Sequence, residues 1–353
     1  MYCRPFEAAI RLAGLAGVMA TYSEFEGEPV HTSRAVLTDL LRDRMGFTGT
    51  VVSDDNGIGW AHTRQLVASS GGKAGWYGDD LTEKEGGDTA DIDLPRQQVA
   101  LVEAVLGAGT PTVAVVAMAR PQGLAAVVDG LPAILTCYYG GPHQGAALAD
   151  ALFGVTNPSG KLPVTIPRHA GQIPIHHGQR WGSGYRRTAA DIHRRYLDMP
   201  STPLFPFGHG LSDTTFDYGD LRLADSTVDV GGEILASLAV TNSGGRAGTE
   251  IVQLYAADTA TGVTLPAQQL VGFTRVHLAP GETKEAEFAV PVSVLADTGM
   301  SGEVVMEPGP LELAAGSSSE GLRTTATVTV TGEARVVADG ERAFLSAAEV
   351  GPG

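Results

Sequence analysis

Two carboxylates, Asp54 and Asp55, directly follow the short apolar run Thr50-Val51-Val52-Ser53. An ionised carboxylate at the exit of a buried strand can attack an electron-poor carbon or take up a proton. A phenol, Tyr22, follows a second such run, Gly17-Val18-Met19-Ala20-Thr21. Its hydroxyl can donate a hydrogen bond to a carboxylate and hold it as a nucleophile. A third group is the acidic stretch 79–93, which includes Glu83, Glu85, Asp88, Asp91 and Asp93. Crowded carboxylates raise one another's proton affinity, which a general acid at neutral pH requires. Each feature has a plainer use. Asp54 can cap a helix starting near Asn56, and a run of acids can be a solvated loop.

The elements that must position these groups follow from pattern. Thr50–Val52 is too short and too β-branched for a helix, and Gly49 opens it. Between the two runs, Thr32 or Ser33 can cap a helix whose residues Val36, Leu37, Leu40, Leu41 and Met45 share one face. Strand, helix, strand within this span predicts a βαβ unit with parallel, adjacent strands. Such strands lie roughly 4.8 Å apart, so Tyr22 and Asp54 would leave the sheet side by side at its carboxyl end.

From Leu94 onward strands and helices alternate. Pro95 suits a helix start, and Val99, Val102, Val105 and Leu106 give that helix an apolar face. Thr112–Met118 reads as a strand, Gln122–Val128 as a helix, Ala133–Cys137 as a strand and Gln144–Phe153 as a helix. The alternation predicts a parallel α/β layer with helices outside it. From Phe216 onward the pattern becomes short strands at 234–240, 250–256, 285–290, 311–315 and 324–330, punctuated by Gly, Pro, Asn and Ser. This predicts a β-sandwich. The stretch after 332 is polar and is expected to pack loosely.

Composition excludes several functions. The net charge of −16 and the absence of a basic stripe argue against nucleic-acid binding. No apolar run approaches the length of a membrane span. The two cysteines, Cys3 and Cys137, form neither a disulfide framework nor a zinc pattern. They suit a reducing compartment, and with Arg4 and Glu7 interrupting any leader pattern the expected location is cytoplasmic. His169, His176, His177 and His193 lack helical i, i+4 spacing and a cysteine partner, so no metal is expected. Gly160-Lys161 is no phosphate loop, because Leu162 stands where Ser or Thr would bind magnesium.

Several stretches together resemble family 3 glycoside hydrolases, the β-glucosidase family. They are Pro5-Phe6-Glu7-Ala8-Ala9-Ile10, Val18-Met19-Ala20-Thr21-Tyr22-Ser23-Glu24, Ser33-Arg34 and Gly46-Phe47 leading through Gly49 to Val52-Ser53-Asp54. Further along, Gly145, Leu148-Ala149-Asp150, Asn157-Pro158-Ser159-Gly160-Lys161-Leu162-Pro163 and Pro206-Phe207-Gly208-His209-Gly210-Leu211-Ser212 resemble its later segments. Thr241-Asn242-Ser243-Gly244 and Val252-Gln253-Leu254-Tyr255 resemble its fibronectin type III-like domain.

The resemblance implies an α/β chain in three parts. Residues 1–68 would be the C-terminal part of a (β/α)8 TIM-barrel catalytic domain and 79–200 an α/β sandwich. Residues 216–331 would be a fibronectin type III-like β-sandwich, followed by a tail at 332–353. It implies Asp54 as catalytic nucleophile and Glu85 as acid/base, with Glu83 in reserve. Tyr22 and Asp55 would contact the substrate, Asp55 standing where relatives often carry an aromatic residue. The implied activity is that of a retaining exo-β-glycosidase acting on a β-glycoside or oligosaccharide, with no cofactor. The family's barrel carries more strands upstream, so the resemblance implies a truncated or internally shortened member. It is expected to act weakly alone, as a homo-oligomer, with a complementing barrel fragment, or as a non-catalytic binding unit.

Overall fold

The computed structural model describes residues 4–21, 23–53, 89–180, 196–258, 265–338 and 340–353. The chain divides into two units, Met1–Gly86 with Ala338–Phe344, and Gly87–Val337 with Leu345–Gly353.

In the first unit a helix, Arg4–Ala13, precedes the strand Gly17–Ala20. A small hairpin follows, Glu24–Phe25 with Glu28–Pro29, turning on Glu26 and Gly27, both at positive φ. The intervening helix spans Ala35–Arg44 and winds as a π-helix. Ser33 is its cap: the hydroxyl accepts from Val36 N at 3.3 Å and donates to Glu28 at 2.7 Å. The wider winding decides which residues face inward. Leu37, Leu41 and Met45, four apart, meet Phe47 in one cluster that Leu40 also joins, whereas Val36 stays outside it. Gly46, at φ +73°, ends the helix. The strand Thr50–Ser53 then pairs with Gly17–Ala20 in parallel, as a βαβ unit requires.

The α/β layer of the second unit begins at Arg96–Gly107, whose first turn folds onto the Pro95 carbonyl, accepting from Gln98 N and Val99 N. Strands Val113–Ala117 and Ala133–Cys137 pair in parallel, Val113 opposite Ala133, and Gln144–Leu152 is the next helix. The helix expected over 122–128 does not form. Gly123 N donates to Ile92 O at 2.8 Å, and Gly123 bridges Asp93 in an isolated parallel pair. That backbone pairing draws the segment out of helical geometry, leaving turns and a single 3-10 turn at Val128–Gly130.

The sandwich has two five-stranded sheets. One runs Ala347–Pro352, Thr283–Pro291, Glu233–Asn242 and Phe216–Tyr218, with Arg222–Leu223 also on Glu233–Asn242. The other runs Gln269–Leu278, Gly248–Asp258, Gly309–Gly316, Leu322–Thr331 and Thr227–Asp229. Alternate residues point inward: Ile234, Ala236, Leu238 and Val240 are buried from one strand, and Leu311 and Leu313 from another. The stretch after 332 is not loose. Ala347–Pro352 is a hydrogen-bonded edge strand, and Arg335–Val336 pairs with Val304–Met306.

A latch joins the α/β layer to the sandwich. The connector holding Gly160-Lys161 pairs with the Gly208-His209-Gly210 turn, Leu162 N donating to His209 O and Gly208 N to Leu162 O, each at 2.8 Å. Lys161 reaches into the sandwich, its Nζ 3.0 Å from Glu250 and 2.9 Å from the Gly210 carbonyl. Asn157 accepts from Ser212 Oγ and Asp213 N and donates to the Ala247 carbonyl. Arg246 pairs with Asp213 at 2.7 Å and donates to the Gly154 carbonyl at 2.5 Å.

Gly208 sits at φ +79°, and a Cβ there would come within 2.0 Å of Gln253 Oε1. Buried Gln253 in turn donates to Gly208 O and Ser317 O and accepts from the Tyr255 hydroxyl. Gly208→Ala combines backbone strain with disruption of this network, and is expected to cost about 2–3 kcal/mol in urea unfolding.

His209 stacks on Phe205, ring centroids 5.2 Å apart. Burial first, and then the charge of Lys161, hold its pKa below the ordinary imidazole value. The unfolded chain therefore binds the proton more readily than the folded one. Stability should fall as pH drops below about 6.5 toward the depressed folded value. Thermal unfolding of His209→Gln should lose that part of the pH dependence.

Candidate active site

The first requirement for the proposed chemistry is two strand ends side by side. Gly17 pairs with Thr50 and the register runs evenly to Ala20 opposite Ser53. The chain therefore reaches Thr21 and Tyr22 from one strand, and Asp54 and Asp55 from its neighbour. Tyr22, Asp54, Asp55, Glu83 and Glu85 themselves lie outside the described residues.

The strand leading to Asp54 is held from several directions. Val51 packs on the Leu41, Met45 and Phe47 cluster, as do Val18 from the partner strand and Ile10 from the first helix. Gly49 fits tightly against the preceding loop. A Cβ there would lie 2.2 Å from the Ala16 carbonyl oxygen and 2.7 Å from the Phe47 ring. Thr50 N then donates to that same Ala16 carbonyl at 3.0 Å, starting the ladder.

Arg42 closes the turn from outside. Its Nη1 donates to Phe47 O at 3.5 Å and Gly49 O at 3.3 Å, and its guanidinium lies 5.7 Å from the Phe47 ring centroid. The roles of Arg42 and Phe47 escaped the sequence reading. The available signal was an aromatic residue set between Gly46 and Gly49, just before the strand. At the other strand's exit, Ser23 N donates to Thr21 Oγ1 at 3.3 Å and Val30 N to Ser23 O at 3.0 Å, fixing the backbone on either side of residue 22.

The described end of the acidic stretch lies in the second unit. Asp93 N donates to Asp91 Oδ1 at 3.0 Å, and the Thr89 hydroxyl donates to Asp91 O at 2.8 Å. Desolvation first, and then the neighbouring Asp91 charge, raise the Asp93 carboxyl above its usual range, while His169 opposes the shift. Burial therefore outweighs the crowding of acids as the cause of this shift.

Two of the histidines have structural occupations. His169 Nδ1 accepts from Gly171 N at 2.9 Å, capping a short turn. His177 stacks on Phe207 at 4.2 Å between centroids. His193 lies outside the described residues. Among the described residues no group of three or more His, Cys, Asp or Glu side chains could hold a metal ion. No described helix is long and apolar enough to cross a membrane.

Comparison with known proteins adds three domain matches. Residues 1–75 match the glycosyl hydrolase family 3 N terminal domain, 66–213 the glycosyl hydrolase family 3 C-terminal domain, and 250–319 the fibronectin type III-like domain. A beta-xylosidase of Formosa agariphila is 38% identical over 239 residues, which is 67% of this chain and 32% of that protein. A periplasmic beta-glucosidase of Salmonella typhimurium is 36% identical over 237 residues, again 67% of this chain and 31% of that protein. The crystal structure of a beta-glucosidase from Listeria innocua in complex with isofagomine superposes with a TM-score of 0.66 at 30% identity. The match covers 71% of this chain and 35% of that one. The chain thus spans about a third of the length of the curated relatives it matches.

Proposed function

Since the chain belongs to family 3 of the glycosyl hydrolases, we propose that it carries the chemistry of a retaining exo-β-glycosidase, releasing terminal β-linked sugars. Asp54 attacks the anomeric carbon while Glu85 protonates the departing oxygen. Water then attacks the covalent glycosyl-enzyme, with Glu85 taking the proton. Tyr22 donates to the Asp54 carboxylate, and Asp55 meets the sugar. Retention needs the two carboxyl groups roughly 5–5.5 Å apart around the bound substrate. No cofactor enters this scheme.

The observation that carries the reading is the parallel register that ends with Ala20 opposite Ser53. It sets Ala20 beside Ser53, the residues that come shortly before Tyr22 and Asp54 in sequence, and so supports the reading. In the same reading 1–68 is the C-terminal part of a TIM barrel, 79–200 the α/β sandwich, 216–331 the fibronectin type III-like domain and 332–353 its C-terminal extension. The cell compartment is the cytoplasm. The kinship with proteins named beta-xylosidase and beta-glucosidase supports a pentose or hexose β-glycoside as substrate. The test is proton NMR of the sugar released from nitrophenyl β-glucoside and β-xyloside. The β-anomer appearing first supports retention, and the α-anomer appearing first refutes it.

A second reading is favoured by the exposed apolar faces of the described residues. Neither Arg96–Gly107 nor Gln144–Leu152 has a buried residue. Leu101 is 63% exposed, and Met19 and Val52, on the two strands of the first unit, are 59% and 49% exposed. Parallel sheets are ordinarily covered on both faces. In this reading the chain is a catalytically incomplete unit that binds or docks, as a homo-oligomer or with a chain supplying further barrel strands. It predicts weak turnover by the chain alone and recovery on mixing with such a fragment. Rapid turnover by the isolated monomer excludes it.

A further inference from the structure

The helix Arg4–Ala13 has ten residues, none of them buried. Isolated helices of this length are marginal in water, so tertiary contacts must hold it. Ile10 supplies one, against the Leu41, Met45 and Phe47 cluster. The other comes from the far end of the chain. Residues Ala338–Phe344 belong to the first unit, while Val337 before them and Leu345 after them belong to the second.

Arg4, Glu7 and Arg11 recur at spacings of three and four and so form one stripe along the helix. The guanidinium carbons of Arg4 and Arg11 lie 5.9 and 6.0 Å from the Phe344 ring centroid, within cation–π range. Arg4 Nη2 donates to the Ala343 carbonyl at 3.4 Å. Glu7 pairs with Arg11 at 2.5 Å and steadies it. Gly340, at φ +99°, turns the segment where a Cβ would lie 3.7 Å from Arg11 Nη2. The residues flanking the segment are held within the second unit: Val337 N donates to Val304 O at 2.8 Å, and Ser346 N to Val271 O at 2.7 Å. With both ends held, ordering the residues between them costs less than ordering a free tail.

We infer that Gly340–Phe344 is an intramolecular strap, with Phe344 clasped by Arg4 and Arg11, that holds the first helix onto the βαβ unit. Ile10, Val18 and Val51 share one cluster, so the strap also steadies the two strands. One consequence rests on the reading of Asp54 above: loosening the strap should slow attack by that residue.

Hydrogen exchange by mass spectrometry on the full chain tests the strap. In Phe344→Leu, which keeps an apolar side chain but no ring, amides of Arg4–Ala13 should exchange roughly tenfold faster. Those of Glu233–Asn242 should not change. Phe344→Trp should retain the protection. The double variant Arg4→Gln/Arg11→Gln should match Phe344→Leu, and combining the three changes should add little, the mark of shared contacts. Unchanged exchange in Phe344→Leu, or strictly additive effects, would overturn the strap. Labelling of Asp54 by a 2-fluoro glycoside is followed in the same proteins. If even the unaltered chain is not labelled, the reading of Asp54 fails while the exchange result still decides the strap.

Discussion

Replacing Lys161 by methionine is expected to cost about 3–5 kcal/mol of stability. The ion pair with Glu250 is nearly closed to water, the two side chains being 12% and 7% exposed. Glu250 Oε1 also accepts from Ile251 N at 2.9 Å, but that bond does not balance the charge. Removing the ammonium strands a carboxylate in a site that already presses on its neighbour. The Tyr218 hydroxyl is pushed far above its normal pKa by burial first and by the Glu250 charge second. Urea unfolding at constant m-value measures the loss. The double variant Lys161→Met/Glu250→Leu should recover most of it, because two packed apolar side chains carry no desolvation penalty. A loss below about 1 kcal/mol would instead class the pair with solvent-screened surface bridges. Lys161 lies in the connector and Glu250 in a sandwich strand, so the single variant should also loosen the docking of the α/β layer.

The second large effect concerns catalysis. On the proposed chemistry, Asp54→Ala should slow hydrolysis of a nitrophenyl β-glucoside by at least about 10³-fold, with no covalent intermediate. Glu85→Ala should behave differently. A nitrophenolate leaves without protonation, so the first step is spared while water attack loses its base, a loss of about 10²–10⁴-fold. Stopped-flow kinetics should then show a burst of nitrophenolate followed by slow turnover. A Glu85→Ala chain as slow as Asp54→Ala in the burst phase would assign the acid/base role elsewhere, with Glu83 next in line.

The parts of the fold that were legible in the sequence are those where burial and period agree. In Glu233–Asn242 every second residue from Ile234 is inward and buried, so alternation alone marks the strand. The βαβ unit was legible for the same reason, its apolar runs being short and its helix capped by Ser33. The strand Gln269–Leu278 was missed because its alternation breaks. Val271 and Gly272 are both buried, next to a register shift at Leu254/Tyr255 in the partner strand. The edge strand Ala347–Pro352 is held by backbone pairing with Thr283–Pro291, and its Ala, Glu, Gly and Pro give no periodic signal. The helix expected over 122–128 lost to backbone pairing between Gly123 and residues 92–93, a contact about thirty positions away in sequence that no local propensity encodes.

At the site, the strand ends were legible and their supports were not. The pairing of Ala20 with Ser53 follows from pattern. The Arg42 bonds to the Phe47 and Gly49 carbonyls depend on the path of a loop. The segments holding Gly160-Lys161 and the Gly208 turn were recognised by resemblance, and the Lys161–Glu250 pair shows what the first of them does.

The most direct test of the glycosidase reading is to incubate the full chain with an activated 2-fluoro β-glucoside, which is slow to leave once it has glycosylated a nucleophile. Intact-mass measurement and peptide mapping follow. One glycosyl adduct on the peptide containing Ser53-Asp54-Asp55, located at Asp54 and absent from Asp54→Ala, is the expected result. A folded chain that gains no adduct, or gains one on another carboxylate, contradicts it.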